Sequence, residues 1–120
     1  MACRFTELVI DASDPPKVAE FWCRVLDYEV SDTSDEEVQI KGPGPGPTLL
    51  FAKVPEPKQV KNRLHIDLNP TDRSQEEEVE RLLALGARHA DVGQKDVDWV
   101  VLADPEGNEF CMLRSRVEPV

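Results

Sequence analysis

The two halves of this 120-residue chain repeat one pattern of predicted secondary structure, and this repeat constrains the fold more than any other feature. A strand-like segment at residues 64–67 echoes the segment at residues 8–11, with an offset of 56 residues. In each half a predicted helix follows, and three further strand-like segments come after it. Internal self-similarity of this kind is the signature of a repeated structural unit. We therefore predict one domain over residues 1–120, built of two modules at about residues 1–56 and 57–120.

The helix of the first module has clear start and packing signals. Asp14 can accept a hydrogen bond at the N-cap, and Pro15 suits the first helical position because its missing N–H needs no partner there. Apolar residues then recur at i, i+3, i+4 and i+7, which predicts one buried stripe. The stripe consists of Val18, Phe21, Trp22 and Val25.

The second module carries matching signals. Ser74 and Glu77 have the spacing of a capping box, so each can satisfy a backbone N–H at the start of a helix. Gly86 suits the left-handed position that follows a helix. The segment 104–107 has Asp first, Pro second and Gly fourth, which predicts a type I turn between two strands. With a helix on one face of each predicted sheet, the fold class is α+β.

Period-two alternation sorts the strand side chains into two faces. In the second module the face predicted to pack on the helix carries Leu64, Ile66 and Leu68. The opposite face carries Arg63, His65 and Asp67.

The first module also places a polar residue, Glu7, on the face away from its helix. These polar faces could be solvated, as in a generic α+β sandwich. Alternatively, two half-sheets that curl toward each other would enclose them in a cleft. Because both modules have matching polar faces, the sequence favours the cleft.

Charge and cysteine content exclude several classes of function. With 24 acidic and 14 basic residues the net charge is −10, so nucleic acids and anionic membranes are not predicted partners. No apolar run is long enough for a membrane span, and no signal peptide is evident. Three cysteines at irregular spacing indicate reduced thiols and a cytoplasmic protein. They are Cys3, Cys23 and Cys111.

Four motifs resemble the vicinal oxygen chelate superfamily, which includes glyoxalase I, bleomycin-resistance proteins and extradiol dioxygenases. They lie at residues 14–22, 61–67, 85–87 and 104–110, and they most resemble a small glyoxalase-like branch common in actinobacteria. The resemblance implies two βαβββ modules with curled mixed sheets that enclose a cleft, with the helices on the outer face. It also implies a homodimer.

Family enzymes hold a divalent metal through four side chains on cleft-facing strands, and this chain matches that pattern poorly. The first-strand position corresponds to Glu7, but the last strand of module one offers only apolar residues. In module two the matching positions are Arg63, with His65 two residues on, and Cys111, where family enzymes usually have Glu. We therefore predict no complete metal site and no cofactor. The only alternative set is Glu7, His65 and Cys111, and it mixes hard and soft ligands.

Each candidate side chain has a structural alternative to a functional role. His65 could shuttle protons, or it could be satisfied by Asp67 in a structural network. Arg63 could bind an anionic group of a ligand, or it could form an ion pair with Glu7 or Asp67.

The remaining two candidates are less polar. Cys111 could be a nucleophile, but a small buried residue is the favoured interpretation. Trp99 could stack on a flat ligand or lie in the core.

Two hypotheses for the function remain open. The first is a small-molecule-binding protein of the glyoxalase/bleomycin-resistance type, without a complete metal site. The second is a lyase or isomerase related to glyoxalase I, either metal-dependent or using His65 as the catalytic base. The predicted partners are a small organic ligand and a second copy of the chain. The predicted ligand-binding residues are Glu7, Arg63, His65, Asp67, Trp99 and Cys111.

Overall fold

The computed structural model describes residues 2–120, and the chain divides into two compact units with the boundary between Pro57 and Lys58. Each unit contains one helix and one four-stranded mixed sheet. This confirms the predicted α+β class and the repeated strand–helix–strand–strand–strand order. The grouping of both modules into one domain, with a cleft between them, stays a prediction.

Unit 1 is the part of the structure up to Pro57. Its elements are β1 (Glu7–Ala12), α1 (Pro15–Leu26), β2 (Glu29–Thr33), β3 (Glu37–Lys41) and β4 (Thr48–Lys53). The sheet order is β1-β4-β3-β2, with β1 parallel to β4 and the other pairs antiparallel.

The apolar stripe of α1 supplies the core of unit 1. Val18, Phe21 and Trp22 are almost completely buried, and the two aromatic rings meet edge to face with centroids 5.4 Å apart. The helix contacts β3 and β4, where Ile40 and Phe51 are also fully buried. Burial of side chains of this size stabilises a fold by about 1.5–3 kcal/mol each. The predicted helical stripe is therefore confirmed.

Unit 2 begins at Lys58. Its elements are β5 (Asp67–Leu68), α2 (Gln75–Leu85), β6 (Arg88–His89), β7 (Val100–Ala103) and β8 (Glu109–Met112). The sheet order is β5-β8-β7-β6, with β5 parallel to β8 and the other pairs antiparallel. Strand order and direction therefore follow the same plan as in unit 1.

Local hydrogen bonds fix the ends of α2 as the sequence predicts. The Glu77 N–H donates to Ser74 Oγ at 3.1 Å, and the Ser74 N–H donates to the Glu77 carboxylate at 3.0 Å. Gly86 ends the helix with φ of 120°. The buried Gln75 side chain donates to the Met112 carbonyl at 3.0 Å, which ties the start of α2 to the end of β8.

The turn before β8 is held by a fully buried carboxylate. Asp104 accepts from the backbone N–H groups of Glu106 and Asn108, each at 2.9 Å. Its carbonyl accepts from the Gly107 N–H at 2.8 Å, and Gly107 has φ of 89°. This turn fixes where β8 starts and therefore which side chains of β8 share a face.

The first strand of unit 2 is shorter than the sequence predicts. The ladder between β5 and β8 has only two residue pairs, so period-two alternation does not extend back to Leu64. Leu64 is 81% exposed, and the prediction that it packs on the second helix is wrong. Neither of the described helices is long and apolar enough to cross a membrane.

The strand after α2 also ends early, because side chains bind the backbone groups that would continue its ladder. The Gly93 N–H donates to Asp91 Oδ1, and the Val92 N–H donates to Gln94 Oε1, both at 2.8 Å. Residues 88–92 are strand-like in sequence, but β6 therefore ends at His89. The segment that follows is a loop, and it forms one side of the pocket described below.

Candidate functional site

A partly open pocket of about 490 Å³ lies within unit 2. β8 contributes to it through period-two alternation: Glu109, Cys111 and the following Leu113 line the pocket. The alternate residues Phe110 and Met112 are almost completely buried. The pocket therefore occupies one face of the sheet of unit 2.

The apolar part of the lining contains an aromatic side chain that is substantially exposed. Trp99, which directly precedes β7, is 43% exposed, although it is large and apolar. Val101 lies two residues further on and is paired with Cys111 across the β7–β8 ladder. Val92, in the loop after β6, completes this apolar wall together with Leu113.

Two titratable side chains at the start of the sheet face each other in this pocket. His65 Nδ1 lies 3.5 Å from Asp67 Oδ1, and the two side chains are 46% and 50% exposed. Asp67 is in turn the ladder partner of Cys111 in the parallel β5–β8 pair. The pairing of these two strands therefore brings an imidazole, a carboxylate and a thiol together.

The Cys111 thiol is kept protonated by its surroundings. Burial raises its pKa, and the nearby Asp67 carboxylate raises that pKa further by its charge and by a hydrogen bond. Lys61 acts in the opposite direction. A thiol with a raised pKa is a poor nucleophile, since the thiolate is the reactive form. The environment of Cys111 thus agrees with the interpretation as a small buried residue.

The donor atoms of this cluster fit a metal ion of the zinc type. One ligand atom each from His65, Asp67 and Cys111 lies within 4.8 Å of the others. Nitrogen, carboxylate oxygen and thiolate sulfur are the three donor types found in zinc sites. A thiolate does not suit hard cations such as Mn²⁺ or Mg²⁺, which prefer oxygen ligands.

Glu109 is held by two partners from the segment before β5. The Lys58 ammonium donates to Oε2, and the Asn62 N–H donates to Oε1, both at 2.9 Å. Burial raises the pKa of the Glu109 carboxyl, but these two hydrogen bonds outweigh that effect, so the pKa lies below its ordinary value. The contact fixes the segment that carries Lys61 beside the pocket.

The structure gathers four of the six predicted ligand-binding residues around this pocket, namely His65, Asp67, Trp99 and Cys111. Among the described residues Arg63 is exposed and lies outside the lining, and Asp67 is paired with His65 instead. The ion pair with Asp67, one of the two structural alternatives for Arg63, therefore does not form among the described residues. A ligand-binding role for these residues stays a prediction.

Glu7 lies in unit 1, where its carboxylate is already engaged. Gln39 Nε2 donates to Glu7 Oε2 at 2.6 Å, and Thr48 Oγ1 donates to the same oxygen at 2.9 Å. Thr48 is also the ladder partner of Glu7 in β4. These contacts give Glu7 a structural role across the sheet of unit 1.

Sequence reasoning missed three polar residues of the lining: Lys61, Gln94 and Glu109. For Glu109 a signal was present, because period two places it on the same face of β8 as Cys111. Lys61 and Gln94 lie in irregular segments, where no periodicity indicates which way a side chain points.

A family model described as a glyoxalase-like domain matches residues 7–113. The chain belongs to this glyoxalase-like family. The match confirms the predicted membership of the vicinal oxygen chelate superfamily, while the actinobacterial branch stays a prediction. Among curated protein sequences, none matches this chain.

Solved structures share the fold at low sequence identity. The fosfomycin resistance protein FosX from Listeria monocytogenes, complexed with Mn(II) and sulfate, is 16% identical with a TM-score of 0.75, covering 98% of this chain and 93% of FosX. A glyoxalase/bleomycin resistance protein/dioxygenase family enzyme from Burkholderia phytofirmans is 17% identical (TM-score 0.68; 89% and 94% covered). A possible glyoxalase from Bacillus cereus is 19% identical (TM-score 0.68; 93% and 99% covered).

Proposed function

We propose that this glyoxalase-like protein binds a small organic molecule in the pocket of unit 2. The observation that carries the proposal is the substantially exposed Trp99 on the wall of a concave site of about 490 Å³. Sites for small molecules have volumes of about 300–1,000 Å³, with apolar and aromatic walls and few polar groups. A large aromatic side chain left open to a cavity offers a flat surface on which a ligand can stack.

The polar residues of the pocket indicate the chemistry of the ligand. Lys61 is exposed, and its ammonium donates only a long 3.3 Å hydrogen bond to the Asn62 carbonyl, so it can pair with an anionic group. The lining contains two acids, Asp67 and Glu109. Of these, Glu109 is already neutralised by Lys58. We therefore propose a ligand with a flat apolar body and an anionic or strongly polar end. The FosX complex with sulfate supports an oxyanion group as one form of that end.

Tryptophan fluorescence can test this proposal directly. The chain has two tryptophans, and Trp22 is only 1% exposed in the core of unit 1. Ligand binding beside Trp99 should therefore change the emission of wild-type protein but not that of Trp99→Phe. We would titrate a library of small planar carboxylic and phosphonic acids, with Val117→Ala as a control for an exposed apolar residue outside the pocket. Saturable binding, measured by calorimetry, that is unchanged in Trp99→Ala would contradict the proposed site.

The His65–Asp67 pair supports a second candidate, an enzyme of the lyase or isomerase class. With Asp67 close to Nδ1, the other ring nitrogen of His65 is left to accept a proton from a bound molecule. Compounds found in the fluorescence titration would be incubated with the protein in D₂O and followed by proton NMR. Catalysed loss of a C–H signal that His65→Gln abolishes, and His89→Gln preserves, would support this function. If no bound compound exchanges a C–H proton with the solvent, binding would be the only function supported.

We also propose that the protein is a homodimer and works in the cytoplasm. Several apolar side chains are exposed in unit 1, including Phe5, Val9 and Val30, and such surfaces are often covered by a partner. Among the described residues the three cysteines form no disulfide, which agrees with a reducing compartment. Sedimentation velocity at several concentrations tests the dimer, and a monomer at all concentrations would contradict it.

A further inference from the structure

We propose that the ligand of the unit 2 pocket is a zwitterion, with an anionic group that pairs with Lys61 and a cationic group that pairs with Asp67. The inference rests on the proposed function, because it concerns the same pocket and adds a second charged group to the ligand. Within the described part of the chain, Lys61 and Asp67 are the two charged residues of the lining that have no permanently charged partner.

The positive charge of Lys61 is available to a ligand. The side chain is exposed, and its ammonium donates a hydrogen bond only to the neutral Asn62 carbonyl, at 3.3 Å. The same charge acts to lower the pKa of the Cys111 thiol, so the ammonium lies close enough to the inner wall of the pocket to act on groups there. An anionic group bound in the pocket would therefore be attracted to Lys61.

The negative charge of Asp67 faces the same pocket and is half open to solvent. Its carboxylate lies 3.5 Å from His65 Nδ1, which is longer than the about 2.7–3.2 Å of an ordinary hydrogen bond. Its other contact is a hydrogen bond with the Cys111 thiol, which is a neutral group. The carboxylate therefore keeps both its charge and room for a cationic group of a ligand.

Glu109 differs from Asp67 because its charge is already paired. The Lys58 ammonium lies 2.9 Å from its carboxylate, and the two side chains are only 18% and 15% exposed. A cationic ligand group at Glu109 would have to displace this mostly buried ion pair. The pocket thus offers one available charge of each sign.

Both available charges stand on backbone that is fixed before a ligand binds. Asp67 lies in the β5–β8 ladder, where the Cys111 N–H donates to the Ile66 carbonyl at 2.9 Å. Lys61 directly precedes Asn62, whose N–H donates to the carboxylate at the start of β8, also at 2.9 Å. Groups that are already positioned lose less freedom on binding, and this favours recognition of a ligand with matching charges.

The overall charge of the chain also favours a ligand without net charge. The chain carries a net charge of −10, so its long-range field repels a simple anion. A zwitterion avoids this repulsion and still pairs with both charges of the pocket. The exposed ring of Trp99 offers a stacking surface for an aromatic body of the ligand. An aromatic ring with a carboxylate at one end and an ammonium at the other is the simplest ligand of this class.

Three small probes that differ by one charged group test this ligand class. 4-(Aminomethyl)benzoate carries both charges, 4-methylbenzoate lacks the cation, and 4-methylbenzylamine lacks the anion. Dissociation constants would be measured by ¹H–¹⁵N NMR titration of the full chain, with a chelator present and at pH 8, where imidazole is uncharged. We expect the zwitterion to bind about two- to fivefold more tightly than either control, which is the contribution of ion pairs that are partly open to water.

Substitutions assign each charge to its residue. In Asp67→Asn the advantage of the zwitterion over 4-methylbenzoate should vanish, and in Lys61→Gln its advantage over 4-methylbenzylamine should vanish. Lys95→Gln and Asp96→Asn remove exposed charges of unit 2 that lie outside the lining, so they are matched controls and should change neither ratio. The amide spectrum checks that each variant folds, and the exposed Lys61 keeps the test valid if Asp67→Asn does not fold.

Two results would overturn the zwitterion proposal. One is equal binding of the zwitterion and 4-methylbenzoate by the wild type, and the other is an advantage of the zwitterion that survives in both Asp67→Asn and Lys61→Gln. Saturable binding of 4-methylbenzoate in the pocket would support the proposed function even if the zwitterion had no advantage, so the two proposals can fail separately. Absence of binding by all three probes would contradict both.

Discussion

Asp67 and Cys111 are direct partners across the parallel β5–β8 ladder, and the carboxylate raises the pKa of the thiol that it contacts. This pairing places a charged group beside a buried cysteine in the pocket of unit 2. With His65, the same pair forms a cluster whose donor atoms lie within 4.8 Å of one another. Reactivity of Cys111 is therefore a sensitive probe of the local geometry.

Labelling of the three cysteines should follow their surroundings. At neutral pH iodoacetamide should modify the exposed Cys3 first and Cys111 far more slowly, because burial and Asp67 keep the Cys111 thiol protonated. Raising the pH should speed the modification of Cys111. In Asp67→Asn its pKa should fall, and labelling at neutral pH should become faster, whereas Asp11→Asn should have no effect. Mass spectrometry of peptides gives the three rates, and equal rates for Cys3 and Cys111 would contradict the structure.

Acid should destabilise unit 2 through Glu109. Its pKa in the folded state is lowered by Lys58 and the Asn62 N–H, so it contributes stability above the unfolded-state value of about 4.3. That contribution is lost as the pH falls from there through the folded-state pKa. Urea denaturation at neutral pH and in steps below pH 5 should show this loss in wild type. In Glu109→Gln the free energy of unfolding should fall less steeply with decreasing pH. An identical slope in both proteins would exclude Glu109 as the cause.

At neutral pH, Glu109→Gln should cost about 1–3 kcal/mol of the free energy of unfolding, because it leaves the mostly buried Lys58 ammonium without its charged partner. The exposed pair Glu20–Arg24 on α1 is the matched control. Glu20→Gln should change stability by less than about 0.5 kcal/mol, as is usual for surface ion pairs. Equal costs for the two substitutions would show that burial of the Lys58–Glu109 pair has no effect.

The capping box of α2 predicts a measurable effect on stability. Ser74→Ala removes the oxygen that accepts the Glu77 N–H, and loss of an N-cap costs about 0.5–2 kcal/mol. Ser115→Ala, in the exposed segment after β8, should change the free energy of unfolding far less. Chemical denaturation of both variants gives the comparison, and a neutral Ser74→Ala would contradict the observed cap.

Truncation of Trp22 should affect mainly stability, whereas truncation of Trp99 should affect mainly ligand binding. Trp22→Ala removes a fully buried ring from the core of unit 1 and should cost about 3–5 kcal/mol of the free energy of unfolding. Trp99→Ala should cost much less, since that side chain is already substantially exposed, but it should abolish binding of planar ligands. Denaturation and ligand titration on the same samples test both statements. A large loss of stability in Trp99→Ala would show that Trp99 is a core residue.

Signals that act within a few residues predicted the local structure well. The Ser74–Glu77 capping box, the Asp14 cap and the turn at residues 104–107 all form as expected. Each depends on hydrogen bonds between close neighbours in sequence, and those bonds depend little on the rest of the fold. The repeat of strand order in the two units followed from the same kind of pattern.

Features set by distant contacts were harder to predict. The sequence placed Leu64 in a strand, but the β5–β8 ladder has only two pairs and leaves that side chain exposed. Lys61 reaches the pocket because Lys58 and Asn62 bind Glu109, a contact across 47 to 51 positions that no local pattern indicates. Conversely, alternation along the predicted strand found His65 and Asp67. The family resemblance indicated Cys111, and Trp99 was a candidate because an aromatic ring can stack on a flat ligand.

The most direct test of the central claim is a two-dimensional ¹H–¹⁵N NMR titration of the full chain with the tightest compound from the fluorescence screen. The account predicts saturable shifts concentrated at backbone amides of the pocket, including those of His65, Asp67, Gln94, Trp99 and Cys111. Amides of α1 and of the strands in unit 1 should not change. Shifts concentrated in unit 1, or shifts that do not saturate at any residue of the pocket, would contradict the account.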